Sequence, residues 1–127
     1  MSLFLIDTTV LIAHLRGDPG IKDLLVRLID EENDLGTTGV NVAEIESGLR
    51  EREAVAAKDL LDRLDYLHID REASRTAGRY QRDLREAGRT LHTADALIAG
   101  TAHRHGAILM TDNRRDFPMG DIEVIGP

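Results

Sequence analysis

Short apolar runs alternate along this chain with longer segments of helical period, and that alternation restricts the fold more than any other feature. Leu3–Ile6, "LFLI", is apolar throughout. A strand with one wet face alternates polar and apolar residues, so an unbroken run of this length reads as a strand covered on both faces. Further strands are predicted over Leu35–Val40, Tyr66–Ile69, Ala107–Thr111 and Ile122–Ile125. Between them, Thr8–Leu15 reads as a short helix. A second helix carries Ile21, Leu24, Leu25, Leu28 and Ile29 at helical spacing. "NVAEIESGLR" begins a third with Asn41 as its N-cap, and "AVAAKDLLDRLD" continues helically. Asp70 is expected to cap a long helix that Gly88 ends, and Thr93 one that Gly106 ends. Strands that alternate with helices imply parallel pairing with helices on both faces. The expected fold class is therefore α/β, a three-layer α/β/α sandwich with a mostly parallel central sheet of about five strands. The 127 residues show no repeat or linker and fit one domain over 1–127.

Composition removes several function classes. There is no Cys, so disulfides, thiol nucleophiles and thiolate metal sites are excluded. The start, "MSLFLID", lacks the basic and long apolar regions of a signal peptide, and no apolar run approaches the ~20 residues of a membrane span. A soluble, cytoplasmic protein is expected. The net charge of −7 argues against non-specific coating of nucleic acid, and with two Tyr, two Phe and no Trp a stacking platform for bases is not expected. The acids either solubilise the surface or gather around metal ions.

Their positions favour gathering. In an open α/β sheet, ligands bind beyond the carboxyl ends of the strands, and right-handed crossovers return successive strand-to-helix junctions to that edge. Asp7 directly follows the first strand. Glu44 and Asp95 fall in the first turns of the helices assigned to the Asn41 and Thr93 caps, and Asp112 and Asp116 follow the Ala107–Thr111 strand. Each acid has a local alternative. Glu44 completes a capping box with Asn41. Asp95 is favoured by the helix dipole, although its apolar setting makes a carboxylate costly unless it is paired, hydrogen-bonded or bound to a cation. Asp7 can cap the first helix, as can Thr8 and Thr9. Together the acids are expected to converge on one cleft, where they would raise one another's pKa values until a divalent cation relieved the repulsion. Oxygen donors without Cys or clustered His suit Mg²⁺ or Mn²⁺ rather than Zn²⁺.

Three segments, "FLIDTTVLI", "NVAEIESGLR" and "HTADALIAGTAHRHGAILMTDNRRDF", resemble the PIN-domain ribonucleases, and among them the VapC-type toxins of toxin–antitoxin pairs. The likeness touches the beginning, middle and end of the chain, and its last segment is the most specific. It implies a metal-dependent endoribonuclease with a four-acid site, whose first three acids fall on Asp7, Glu44 and Asp95. The closing pattern of the family resembles Thr111, Asn113, Asp116 and Phe117. It favours Asp116 as the fourth acid, with Asp112, nearer the strand end, as the second candidate. Thr8, Thr111 and Asn113 would act as auxiliary hydrogen-bonding residues. The resemblance further implies Mg²⁺, with Mn²⁺ as a substitute, and RNA as substrate. It also implies a small VapB-like antitoxin that sets a basic side chain among the acids, and a homodimer formed by apolar residues of the helices between Ile21 and Leu64. Asp7 and Asp95 would hold an ion that activates water for in-line attack on phosphorus, leaving a 5′-phosphate and a 3′-hydroxyl. Whether one ion or two act stays open.

Two further patterns have alternative readings. Arg71, Arg75, Arg79, Arg82, Arg85 and Arg89 share one helix face. They form either a solvated surface partly neutralised by Asp83 and Glu86, or a track for phosphates or antitoxin with Arg75, Arg79, Arg82 and Arg89 as contacts. The five His are not spaced as a metal cluster, though His92 is close enough to reach the cleft. Two rival functions remain. A phosphoacceptor receiver domain would need a Lys after a late strand, and the chain has only Lys22 and Lys58. A catalytically inactive PIN-like domain that only binds its partner would not need every acidic position filled.

Overall fold

A computed structural model describes all 127 residues. Five parallel strands, β1 (Leu3–Ile6), β2 (Asp34–Thr37), β3 (Asp65–Tyr66), β4 (Ile108–Met110) and β5 (Val124–Ile125), form one sheet in the order β3-β2-β1-β4-β5. The helices are α1 (Thr8–Leu15), α2 (Pro19–Asp30), α3 (Gly39–Gly48), α4 (Ala54–Arg63), α5 (Arg71–Glu86) and α6 (Thr93–His105). Short 3₁₀ turns span Glu51–Glu53 and Arg114–Asp116. This is the expected three-layer sandwich. The strand order also separates it from a receiver domain, whose doubly wound sheet runs 2-1-3-4-5.

The apolar run of β1 divides between two cores because successive side chains point to opposite faces. Phe4 and Ile6 pack with Val10, Leu11, Leu25, Ile45 and Met110 on the α1–α4 face, and Leu5 packs with Ile98, Ala99, Leu109 and Phe117 on the α5–α6 face. On the second face the helices meet through small residues. A Cβ at Gly100 would strike the Ala73 carbonyl oxygen and come within 3.0 Å of the Ala77 nitrogen, so this position keeps α5 and α6 in close contact. The two helices are antiparallel. Arg104 near the end of α6 bonds Asp70, the cap of α5, at 2.9 Å, and the 87–92 loop therefore returns the chain to the carboxyl edge of the sheet.

The structure moves two helix starts. Thr38, not Asn41, caps α3. The Thr38 hydroxyl accepts from the Asn41 amide at 3.3 Å, and Asn41 Oδ1 accepts from the Thr38 amide at 3.2 Å. Glu44 consequently lies beyond the first turn and takes no part in capping. The same cap ends β2 at Thr37, before the predicted Val40. For α6, His92 occupies the N-cap position without a side-chain bond, and Thr93 is the first helical residue. Thr93 Oγ1 accepts from Gln81 Nε2 of α5 at 3.1 Å instead, which locks the helix pair rather than the helix end. Asp70 caps α5 as expected, accepting from the Ala73 amide at 2.8 Å. Gly88 and Gly106 take positive φ just past the ends of α5 and α6, the conformation that ends helices and that glycine adopts without a Cβ penalty.

Candidate active site

The chain leaves β1 toward β2 and β3, then crosses back to β4 on the other side of β1. The reversal between β1 and β4 opens a crevice at their carboxyl ends. Asp7 stands at its base, its amide donating to the Met110 carbonyl at 2.9 Å. It occupies the N-cap position of α1, but its carboxylate makes no capping bond. Only 5% exposed, the carboxylate is instead held by neutral donors: Thr111 Oγ1 donates to Oδ2 at 2.7 Å, and Asn41 Nδ2 to Oδ1 at 3.4 Å. The direction of the first bond is fixed, because Thr111 Oγ1 accepts from the Asn113 amide at 3.0 Å and so turns its own proton to Asp7.

A second chain of bonds reaches Glu44. Asn41 Nδ2 also donates to Thr8 Oγ1 at 3.0 Å, and that hydroxyl donates to Glu44 Oε1 at 2.7 Å. A carboxylate only accepts and an amide nitrogen only donates, so the sequence Asp7–Asn41–Thr8–Glu44 can point in one sense alone. Asn41, fully buried, thereby closes the Thr38 capping box of α3 with its oxygen and spaces two acids with its nitrogen.

Asp95, in the first turn of α6, is half-buried and faces the same crevice. Its pKa is pushed up to about 6, first by burial and then by the charges of Asp7, Asp116 and Glu44, while His92 opposes the rise. Burial likewise raises Asp7, with the hydrogen bond from Thr111 pulling the other way and the charge of Glu44 adding to the rise. The molecule's ion pairs lie elsewhere and include none of Asp7, Glu44, Asp95 or Asp116. Asp95 thus feels three acids from separate stretches, and no ion pair offsets them. No three His, Asp or Glu side chains close around a point as a complete protein cage.

The remaining positions sort by distance from this centre. Asp116, on the 3₁₀ turn, borders a small cleft with His92 and Asp95. Asp112 is exposed and borders the outer depression with Asn113 and Arg115, its amide donating to Thr9 Oγ1 at 3.3 Å. The arginine face of α5 does not stand free as a row. Arg79 bonds Asp121 at 3.0 Å and lies over the Tyr80 ring, and Arg75 reaches toward Glu72 at 3.8 Å. Arg82 makes no ion pair, and Arg89 lies past the helix end, beside the acid cleft. Sequence reasoning missed Asn41 as a link between acids. The available signal was a second box pattern, Thr38 to Asn41, which overlaps the Asn41-to-Glu44 pattern.

The sequence pattern of the PIN domain matches residues 4–119, nearly the whole chain. The chain belongs to the PIN-domain family. Among its relatives, ribonuclease VapC19 of Mycobacterium tuberculosis is 35% identical over 115 residues, covering 91% of this PIN domain and 92% of the relative. The tRNA(fMet)-specific endonuclease VapC of Shigella flexneri is 26% identical over 122 residues, covering 92% and 91%. Among solved structures, VapBC2 from Rickettsia felis bound to a promoter DNA fragment superposes with a TM-score of 0.87 at 19% identity, over 98% of each chain. A toxin–antitoxin complex from Klebsiella pneumoniae does so with 0.77 at 22%, over 98% and 96%. At these identities the superpositions speak for the fold. In this PIN domain, as in those structures, one parallel sheet lies between two helical layers. No helix is long and apolar enough to cross a membrane.

Proposed function

We propose that this PIN domain is a Mg²⁺-dependent endoribonuclease and the toxin of a type II toxin–antitoxin pair. The observation that carries the reading is the unneutralised acid centre. Asp7 is buried and held only by neutral donors, and Asp95 is raised to about 6 by burial and by its acidic neighbours. Leaving like charges together in a low-dielectric crevice is costly, and a bound cation removes that cost. The donors are all hard oxygens, which suit Mg²⁺, an ion that keeps several waters and needs only one or two carboxylates. Relatives at 35% and 26% identity that carry ribonuclease names support RNA as the substrate.

Asp7 and Asp95 would hold the ion, with Glu44 and Asp116 completing the acid set. When bound, such an ion supplies positive charge that activates water and offsets charge on the phosphoryl oxygens. The chain's own residues supply placement. Thr111 and Asn41 lock both oxygens of Asp7 in one orientation, and Thr8 holds Glu44 toward the same centre. Asp116 and Asp112 stand on the open side, where substrate enters, with Asp116 nearer to Asp95. In-line displacement would leave a 5′-phosphate and a 3′-hydroxyl. An antitoxin that places a cationic side chain in the crevice would satisfy the same acids and block them. The exposed apolar side chains Val26 and Ile29 on α2 and Val55 on α4 offer surface for a homodimer.

The test is cleavage of a generic RNA by the purified chain in Mg²⁺, in excess EDTA, and with Asp7→Ala. Cleavage that EDTA and Asp7→Ala both abolish is the expected result. Full activity in EDTA overturns the metal-dependent reading. Inactivity of the wild type under all metals would favour a PIN-like domain that only binds its partner.

A further inference from the structure

We infer that the RNA backbone follows one wall of the crevice only, the wall built by the 87–92 loop and the Arg114–Asp116 turn, with Arg89 as the positioning residue that sets its register. This inference rests on the nuclease reading of the same site. The two walls differ in charge. α1 and α3, on one side, contain no Lys or Arg, and α3 exposes Glu44 and Glu46. A phosphodiester chain approaching along these helices meets Glu44 and Glu46, and the cation that borders Glu46, Lys58, is already paired with Asp62 at 2.6 Å. On the other side Arg89, Arg114 and Arg115 are all exposed, and none of them pairs with a carboxylate despite the acids around them.

These cations lie on a continuous path. Asp116 borders both the cleft that holds Arg89, His92 and Asp95 and the outer depression that holds Arg114 and Arg115. Arg89 Nη2 donates to the Arg115 carbonyl at 3.0 Å, which ties the loop to the turn and fixes the guanidinium at the mouth of the cleft. One donor of its fork is used and the others stay free, the arrangement that suits a phosphate beside Asp95. The α5 face competes poorly for that role: Arg79 is committed to Asp121, Arg71 lies at the other end of α5 from the 87–92 loop, and Arg82, though unpaired, borders neither the acid cleft nor the outer depression.

The experiment separates binding from turnover. Asp7→Asn protein is titrated against a fluorescein-labelled oligoribonucleotide in Mg²⁺ by anisotropy across a salt series. Adding Arg89→Gln is expected to weaken binding about tenfold and to reduce the slope of log K against log salt by about 0.7, the share of one single-strand phosphate contact. The pair Arg114→Gln and Arg115→Gln shifts both quantities in the same direction. Arg89→Lys, which keeps charge without the fork, falls between, and Arg71→Gln leaves both unchanged. In the cleavage-competent chain, Arg89→Gln raises KM more than it lowers kcat. The inference is overturned if Arg89→Gln binds with unaltered affinity and slope, if Arg71→Gln loses as much as Arg89→Gln, or if no RNA binds. Arginine-dependent binding by a wild-type chain that never cleaves would uphold this track while refuting the nuclease reading. Normal cleavage with unaltered binding by Arg89→Gln would do the reverse.

Discussion

At the scale of single residues, the site is an acid set positioned by neutral groups. Asp95 illustrates the consequence. Its folded pKa of about 6 lies above the unfolded value of 3.8, so between those values the folded chain holds more protons than the unfolded one. Stability of the metal-free protein therefore falls as pH rises through that window, and the raised Asp7 acts in the same direction. Burial lowers His14 and so works the other way, which makes the comparison with a variant the informative one. We predict that in EDTA Asp95→Asn melts higher than wild type at pH 7.5 and that this gain shrinks at pH 5, while the variant loses most cleavage. An Asp95→Asn gain that is equal at pH 5 and pH 7.5 would contradict this account. A second prediction concerns Thr111. Thr111→Val removes the 2.7 Å donor to Asp7 and keeps the side-chain shape, so cleavage should drop about tenfold or more, with about 1.5–3 kcal/mol lost at the carboxylate. Thr111→Ser should retain most activity in the same RNA assay. Asp7 and Asp95 were legible as costly acids at a strand end and a helix start. Asn41 was not, because its second role depends on Thr8 and Asp7, which are more than thirty positions away.

At the scale of elements, helix starts decide which side chains face the crevice. Two overlapping box patterns compete at residues 38–44, and the buried Thr38–Asn41 pair wins because it satisfies orphan donors away from water. That choice frees Glu44 for Thr8. The contact of α5 with α6 matters equally, since α6 carries Asp95. Gly100→Ala drives a methyl into the Ala73 carbonyl, and helix backbone cannot yield as a flexible side chain would. We expect a loss of about 1–3 kcal/mol in urea unfolding, a typical overpacking cost, together with reduced cleavage as α6 shifts. Unchanged stability would mean that the helices meet elsewhere. The helical periods of α2 and α5 and the glycines that end α5 and α6 were readable from sequence because they are local. The short β3 and β5 were read too long, since their ends depend on neighbouring strands: β3 pairs with β2 only at Asp65 and Tyr66.

At the scale of the whole molecule, the sheet order places β1 and β4 side by side, and the acid centre is a product of that adjacency. Metal binding should therefore stabilise the entire fold, because an ion that binds only the folded chain raises stability by mass action. We predict that millimolar Mg²⁺ raises the melting temperature more at pH 7.5 than at pH 5, where protons compete for Asp95, and that Asp7→Asn abolishes the rise. An equal shift in Asp7→Asn would place the ion elsewhere. Net charge was a poor guide at this scale: a chain at −7 still sets Arg89, Arg114 and Arg115 exposed and unpaired on one wall of the crevice, while α1 and α3 on the other contain no Lys or Arg. By itself the sequence determined the α/β alternation, the two-faced burial of β1 and the acids at strand and helix ends, because these follow from side-chain period and from near neighbours in the chain. Only the tertiary structure decided that Thr111 and Asn41 orient Asp7, that Arg79 is spent on Asp121 while Arg89 stands at the cleft, and which acids lie close enough to raise Asp95. Those outcomes depend on distances between segments remote in sequence, and folding alone fixes such distances.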